Sequence, residues 1–573
     1  MRNLILISAL VICSITASFS QSIQPKLDWA ITTGNSGQEI RLEDSKVDMD
    51  GNIYSVGYFY GNIDFDPGPN SFFYTSPISV KTSYVQKLDS TGSFVWAKIF
   101  SSPSQSSSLC STIDFDQNGN VYVAGSFKGS IDLDPNLGVF NLTSTISGPS
   151  TFLVKMDANG NFIWGQQYAT GSLYSGVMKL QLDNLDDIIL SGIFAGTVDF
   201  DYDSTTLNLL SSQNNHDQFT LKLDEDGDFI WVKQFTGSGS ISIYDLAIDH
   251  NNDIIMVGKL TQPSDFDPGP NSFVLSPADD GLYYTVKLDA NGNLEWAFAM
   301  GLVFGESLVI TNVAINNSNN VYVSGGYTGT IDFDPDTTST FMMTSSGMYS
   351  QFVLKLNSSG DFLWAKGDQK GSAGPVSAID NDGNLYSTSA VNGSVDFDPG
   401  SDSLILTDGK YYIQKLDSNG NFVWAKRGGS HGYIYPEKVN LLNSTSFLVT
   451  GGFSSGWDID FNPDSTKTLL SAQGLSDVFY LKFDQALSLG TEDVMGKVEF
   501  DVFPNPTSGS LVIEVDVFED VEVMLFDLSG NLIFKTSVNQ NSTRLDISHI
   551  PSGAYFIAVQ SGRNRGIQKL VKL

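Results

Sequence analysis

Tryptophan returns at a nearly fixed interval along most of this chain. It stands at Trp29, Trp96, Trp164, Trp231, Trp296, Trp364 and Trp424, at steps of 67, 68, 67, 65, 68 and 60 residues. Three further elements keep the same period. An Asp-Phe-Asp-Pro element or a near variant occupies Asp64–Pro67, Asp132–Pro135, Asp199–Tyr202, Asp265–Pro268, Asp332–Pro335, Asp396–Pro399 and Asp460–Pro463. A Lys-Leu-Asp-like element begins at Lys87, Lys155, Lys222, Lys287, Lys355, Lys415 and Lys482. The fourth reads Asn-Val-Tyr-Val-Ala-Gly-Ser-Phe at Asn120–Phe127, with a close copy at Asn320–Tyr327. A repeat of this length is one supersecondary unit that cannot bury its apolar face alone, so neighbouring copies must stack.

Each copy predicts four short strands. The first is of the Leu246–Asp249 type and leads into a turn such as Asp116–Asn120. The alternating β-branched and aromatic run Val121–Phe127 is the second. The acidic element follows as a loop with a short apolar continuation, Phe140–Leu142. Phe152–Met156 is the third strand, and the turn Asp157–Asn161 leads to the fourth, Phe162–Trp164. Glycine in these turns supplies the positive φ that tight hairpins need. No stretch has helical periodicity, so the fold class is all-β. The ends decide the arrangement. Leu27–Thr33 has no Lys-Leu-Asp strand before it, and Lys482–Asp484 has no Trp strand after it. Each end holds the half that the other lacks, so residues 21–485 are expected to form a seven-bladed β-propeller closed by the N-terminal strand, which leaves no sheet edge open.

Gly119–Gly125, Phe152–Asp157 and Trp164 together resemble a bacterial β-propeller repeat family with Gly-Asn-Val-Tyr-Val-x-Gly, Phe-Val-x-Lys-Leu-Asp and Trp elements. The resemblance implies a fold and carries no agreed activity.

Residues 1–20 read as a secretory signal: Arg2, an apolar run Leu4–Ala17, then Ser18 and Ser20 before Gln21. Cys13 raises lipidation, but bulky Ile12 precedes it. Cleavage after Ser20 leaves Cys110 as the single thiol, hence no internal disulfide. No later stretch reaches the roughly 18 apolar residues of a membrane helix. With 64 acidic against 31 basic residues and a net charge of −33, nucleic acid and anionic lipid are poor partners.

After a linker at 486–497 the pattern changes, and 498–573 read as a separate domain. Pro504-Asn505-Pro506 behind Phe503, a turn at Asp527–Gly530, Gly553 and Tyr555 behind Pro551, and a lysine-bearing end with Lys569 follow in order. This closely resembles the C-terminal sorting domain of type IX secretion cargo in the Bacteroidota. The resemblance implies a small Ig-like β-sandwich, recognition by the outer-membrane translocon and surface-processing machinery, and a place at the cell surface or outside the cell. The residues alone also fit a sandwich domain with a binding role.

Candidate chemistry is sparse. The tryptophans resemble those of quinone-dependent dehydrogenase propellers, but one per repeat suits packing between blades. A sialidase needs an arginine cluster, and the repeat region holds only Arg41 and Arg427. His216, His250, His431 and His549 lack paired-ligand spacing. The acidic elements are candidate Ca²⁺ ligands through Asp64, Asp66, Asp132, Asp134, Asp199, Asp201, Asp265, Asp267, Asp332, Asp334, Asp396, Asp398 and Asp460. Their bland alternative is an acidic turn whose Asp side chains accept backbone N–H bonds. The Asp-x-Asp-Gly stretches at Asp48–Gly51, Asp224–Gly227 and Asp380–Gly383 read as hairpin turns. With the Trp strand outermost, the acidic loops share one face with inter-blade segments carrying Tyr168, Tyr174, Phe235, Tyr244, Phe304, Tyr433 and Tyr435. These aromatics are a candidate ligand face for a glycan or protein, or else seal the junctions. The expectation is an exported, non-catalytic binding module with an unidentified extracellular ligand. The alternatives are a secreted polysaccharide hydrolase or lyase using an Asp pair on that face, and a structural surface protein.

Overall fold

The computed structural model describes residues 24–573 apart from 35–36, 103–105, 145–147, 169–173, 203–207, 278–280, 301–306, 337, 346–349, 368–375, 401, 455–457, 465, 473, 486–499, 516–520, 528–531, 539–541 and 562–563. The signal segment, the linker, Phe304 and Gly530 therefore lie outside the described residues. The chain divides into two compact units, Met1–Asp484 and Gln485–Leu573.

The first unit is a succession of antiparallel sheets with four main strands each, one per sequence repeat; the sheet ending in Phe229–Gly237 continues into Ser264–Asp265 and Val274–Leu275 of the next repeat. In the second repeat, Ser107–Phe115 pairs with Val121–Lys128, then Ser150–Met156, then the Trp strand Phe162–Tyr168 at the outer edge. The acidic element forms the loop of a small hairpin, Ser130–Asp132 against Asn141–Thr143, set between the second and third strands. The residue between its two acids (Phe65, Leu133, Phe200, Phe266, Phe333, Phe397 or Phe461) is fully buried in every copy. That burial makes the motif a core plug flanked by two turn-forming carboxylates.

The same register explains the remaining motifs. Lys155 lies 3.5 Å from Asp116 of the first turn and 4.8 Å above the Tyr122 ring, and it donates to the carbonyl of Glu225 in the next unit. Lys222 bridges Asp183 and Asp187 at 2.7 and 3.0 Å, and Lys287 bridges Asp249 and Asp253 at 3.1 and 2.8 Å. A buried ammonium needs such partners. The tryptophans pack between units: Trp96 and Trp296 donate from Nε1 to the Ala158 and Ser358 carbonyls of the following repeat.

The innermost strands carry a β-bulge at a constant place, between Leu42 and Asp44, Cys110 and Thr112, Val177 and Lys179, Ile243 and Asp245, Ile310 and Asn312, and Pro436 and Lys438. The bulge pushes a carbonyl against the second strand, and this accounts for the repeated glycine there. A Cβ at Gly57, Gly125, Gly192, Gly258, Gly325 or Gly451 would collide with the backbone oxygen of Arg41, Leu109, Gly176, Ser242, Val309 or Tyr435.

Inner strands lie beside one another in sequence order from Glu39–Val47 to Tyr433–Leu441, and the last of these lies beside the first. The residues just past the bulge link them. Thr112 Oγ1 and Ile113 N–H donate to Asp44, Lys179 pairs with Asp245 at 3.1 Å, Asn312 and Val313 donate to Asp245, and Lys438 pairs with Asp44 at 3.1 Å. The N-terminal strand Lys26–Thr33 pairs antiparallel with Asp477–Asp484 and completes the last sheet. Cys110 is a buried free thiol in an inner strand.

The second unit is also all-β. A three-stranded sheet (Phe500–Phe503, Ser510–Val515, Ser542–Asp546) and a four-stranded sheet (Leu532–Val538, Val521–Phe526, Gly553–Ser561, Asn564–Lys572) enclose one apolar cluster around Leu511, Ile513, Val523, Leu525 and Ile557.

Candidate functional site

The thirteen candidate calcium carboxylates are engaged in their own turns. The first Asp of every copy accepts two backbone N–H bonds. Asp64 takes Asp66 and Phe72 at 3.2 and 2.7 Å, and Asp132 takes Asp134 and Phe140 at 3.1 and 2.8 Å. Asp199, Asp265, Asp332, Asp396 and Asp460 repeat the pattern. Where Pro-Gly follows, the second Asp accepts the glycine N–H, as Asp66 does from Gly68, Asp267 from Gly269 and Asp398 from Gly400. Asp134 and Asp334 accept from Asn136 and Asp336, and Asp201 from the Asn208 side chain. Desolvation raises Asp265 and Asp396, yet the Phe273 N–H on Asp265, and the Ser403 hydroxyl with the Leu404 N–H on Asp396, hold both below the usual carboxylate range. Among the described residues no group of three or more His, Cys, Asp or Glu side chains is arranged to hold a metal ion. His250 engages Asn319 and His431 engages Ser430.

The aromatic face is redrawn. Tyr168 and Phe235 are buried at the ends of Trp strands, Tyr168 donating to the Gly227 carbonyl at 2.7 Å. They seal a junction and offer nothing to a ligand. Tyr244 is half-buried at a bulge, and Tyr174 opens the inner strand Tyr174–Leu182. Tyr433 and Tyr435 are 68% and 48% exposed, and successive odd positions place them on one side of their strand.

Beside Tyr435 the structure assembles a group that spacing could not reveal. The bulge positions are Glu43, Ser111, Met178, Tyr244, Thr311 and Glu437. Among these described positions only the two in the adjoining first and last repeats are acidic. Both carboxylates keep contact with solvent, Glu43 exposed and Glu437 half-buried. Desolvation raises Glu43, and desolvation together with the charge of Glu43 raises Glu437 to about 8. Arg41, bonded to Glu39 at 2.8 Å, offsets part of this, and Lys81 sits 3.9 Å above the Tyr58 ring. Just beyond the bulge Asp44 stays ionised. Burial opposes its charge, but Lys438, Lys179 and Lys46 together pull its pKa below the usual range. The arrangement can hold one proton near neutrality next to cations and exposed tyrosine rings. A repeat-wide comparison of bulge positions would have exposed the acidic pair, had the bulges been visible in the sequence.

In the second unit the tail motif is architectural. Asn505 clamps the terminal strand from both sides, its amide donating to the Lys569 carbonyl at 2.6 Å and its oxygen accepting Val571 N–H at 2.9 Å. Pro504 and Pro506 flank it, and Thr507 bridges to Lys572. Tyr555 closes the Pro-x-Gly turn by donating to Pro551 at 2.7 Å, with Gly553 against its ring. The Lys569 side chain is exposed, and Asp527 directly follows the strand Val521–Phe526. Residues 501–573 match the secretion system C-terminal sorting domain family. The second unit is a type IX sorting domain. The chain is therefore secreted across the outer membrane to the cell surface or the extracellular space, and its sorting domain engages the secretion machinery. Two relatives match parts of it. A WD repeat-containing protein, L264, of Acanthamoeba polyphaga mimivirus is 29% identical over 161 residues, 26% of this chain and 11% of that one. Ulvan lyase NLR42 of Nonlabens ulvanivorans is 24% identical over 185 residues, 31% of this chain and 30% of that one. The chain thus spans about a tenth and about a third of these relatives. Among solved structures, the extracellular domain of the BT4673 two-component system of B. thetaiotaomicron is 10% identical, covering 95% of this chain and 98% of that one, with a TM-score of 0.17. PorZ, a surface component of the type IX secretion system of Porphyromonas gingivalis, is 10% identical, covering 94% and 99%, with a TM-score of 0.14.

Proposed function

We propose that the secreted chain is a non-catalytic binding module whose first unit is a seven-bladed ring closed by its N-terminal strand, and that it takes an extracellular glycan or protein at the mouth of the central channel. The neighbouring inner strands, with the last beside the first, support the ring. One observation carries the site. The acids, lysines and tryptophans that recur in every repeat are used internally, whereas a group of residues that break the repeat, Arg41, Glu43, Tyr58 and Glu437, gathers at one place, with Tyr435 two residues before Glu437 on the same strand. Exposed tyrosines beside mixed charge suit stacking on a sugar or gripping a peptide. The test is a screen of the full secreted chain against extracellular glycans and matrix proteins. Saturable binding without turnover, weakened about tenfold in Tyr435→Ala, is expected. Binding untouched by Tyr435→Ala and Glu43→Gln overturns the site.

A second reading rests on Glu437. A carboxyl raised to about 8 is protonated at neutral pH and could serve as a general acid beside Glu43. That reading moves the Asp pair of the sequence-based alternative to a Glu pair. It predicts new chain ends from an extracellular polysaccharide, abolished in Glu437→Gln. The same screen, followed for product as well as binding, separates the two readings.

A further inference from the structure

Two places after the tryptophan stands a lysine in four of the seven repeats, where it reaches the turns of the next repeat; Ile31, Gln166 and Phe298 hold the position in the other three. Lys98 lays its stem across Gly160, where an added Cβ would lie 2.5 Å from Cε, and its ammonium donates to Asn136 Oδ1 at 2.7 Å. Lys233 crosses Gly292 in the same way, at 2.6 Å from Cε, and Lys366 crosses Gly420, at 2.8 Å from Cγ. Lys426 is ion-paired with Asp464 of the following acidic hairpin. The notch between a Trp strand and the next repeat thus accepts an alkyl chain ending in an ammonium, and the protein fills it from within.

After Trp296 the notch is different. Phe298 stands in place of the lysine and stacks on Trp296, with centroids 5.8 Å apart and 21° between planes. Gly360 faces the indole alone, 3.0 Å from Cδ2 to an added Cβ. A cleft of about 400 Å³ opens between this aromatic pair and Asp334, Asp336 and Asp361. It is in the size range of small-ligand sites. Among the described residues the carboxylates accept from neutral donors: the Asp336 N–H and Ser339 hydroxyl on Asp334, the N–H and hydroxyl of Thr338 on Asp336, and the Asn357 amide on Asp361.

We infer that this cleft binds a lysine side chain presented by a polypeptide partner, its alkyl stem on the Trp296–Phe298 pair and its ammonium among the three carboxylates. The ligand chemistry is the one that four other junctions display with their own lysines. An aromatic face attracts a cation by its quadrupole, and the carboxylates add charge complementarity. The net charge of −33 steers cationic partners toward the molecule. The inference does not depend on the reading of the channel mouth.

The test uses saturation-transfer NMR on the full secreted chain with Nα-acetyl-lysine amide, its norleucine counterpart, a lysine-containing hexapeptide and spermidine. Transfer to the lysine methylenes is expected, with the norleucine analogue bound about tenfold more weakly. Phe298→Lys installs the residue found at four of the other six junctions. It should abolish binding and leave the thermal midpoint unchanged or higher. Asp361→Asn, on an exposed turn, gives an independent reading and should weaken binding about threefold. Equal binding of lysine and norleucine amides, or binding that survives both substitutions, overturns the inference. Tighter binding of spermidine than of the hexapeptide overturns its assignment to a polypeptide.

Discussion

Glu437 and the acidic-hairpin aspartates pull the pH dependence of stability in opposite directions. For Glu437 the folded pKa of about 8 lies above that of the unfolded chain, so the folded state holds the proton more tightly. Its contribution is complete below about pH 4.5 and is lost as pH rises toward 8. Asp265, Asp396 and Asp44 are held below their ordinary value, so theirs is present above about pH 4 and is lost as pH falls further. Thermal unfolding should therefore show greatest stability near pH 5, and Glu437→Gln should flatten the decline between pH 5 and 8 while leaving the acid limb in place. An unchanged alkaline limb in that variant would refute the assignment. Glycine at the bulge is a second residue-scale constraint. Gly125→Ala drives a methyl into the Leu109 carbonyl and should cost about 3 kcal/mol in denaturant unfolding, against about 0.5 kcal/mol or less for an alanine at exposed Gln117.

The acidic hairpin is an element whose composition invites a metal and whose geometry uses the acids otherwise. Because Asp132 Oδ1 already accepts two N–H groups, Asp132→Ala should cost about 2 kcal/mol, and Asp132→Asn less. Calcium and chelator should give the same thermal midpoint within the error of calorimetry; a midpoint that rises with calcium would return the metal to these turns. Much of this element was legible in advance. Spacing placed Asp-Phe-Asp-Pro between the second and third strands, and hairpin turns followed from Asp48–Gly51, whose Asp48 accepts from Asp50 and Asn52. The acidic pair was hidden because a bulge adds one residue without a sequence mark and turns the side chains after it to another face. Glu43 and Glu437 also belong to opposite ends of the first unit. Tyr168 and Phe235 were misjudged for a related reason: each strand runs several residues past its tryptophan, so what looked like connector is still sheet.

At the scale of the molecule the two units answer to different tests. Removing 498–573 should leave the protein in the periplasm, read by fractionation; unchanged export would contradict the sorting assignment. Removing Lys26–Thr33 strips the partner from Asp477–Asp484 and exposes its backbone edge. Unfolding should then lose cooperativity and the protein should self-associate, measurable by calorimetry and light scattering. The same clasp bears on how such a chain can change over generations. Sequence repeat and folded sheet are offset, and the last sheet is completed by pairing between Lys26–Thr33 and Asp477–Asp484. In the proposed ring, insertion or loss of a whole repeat in between alters circumference and leaves that pairing intact. Repeat number in such a ring is freed to vary as a single heritable step, and the geometry of its central opening varies with it.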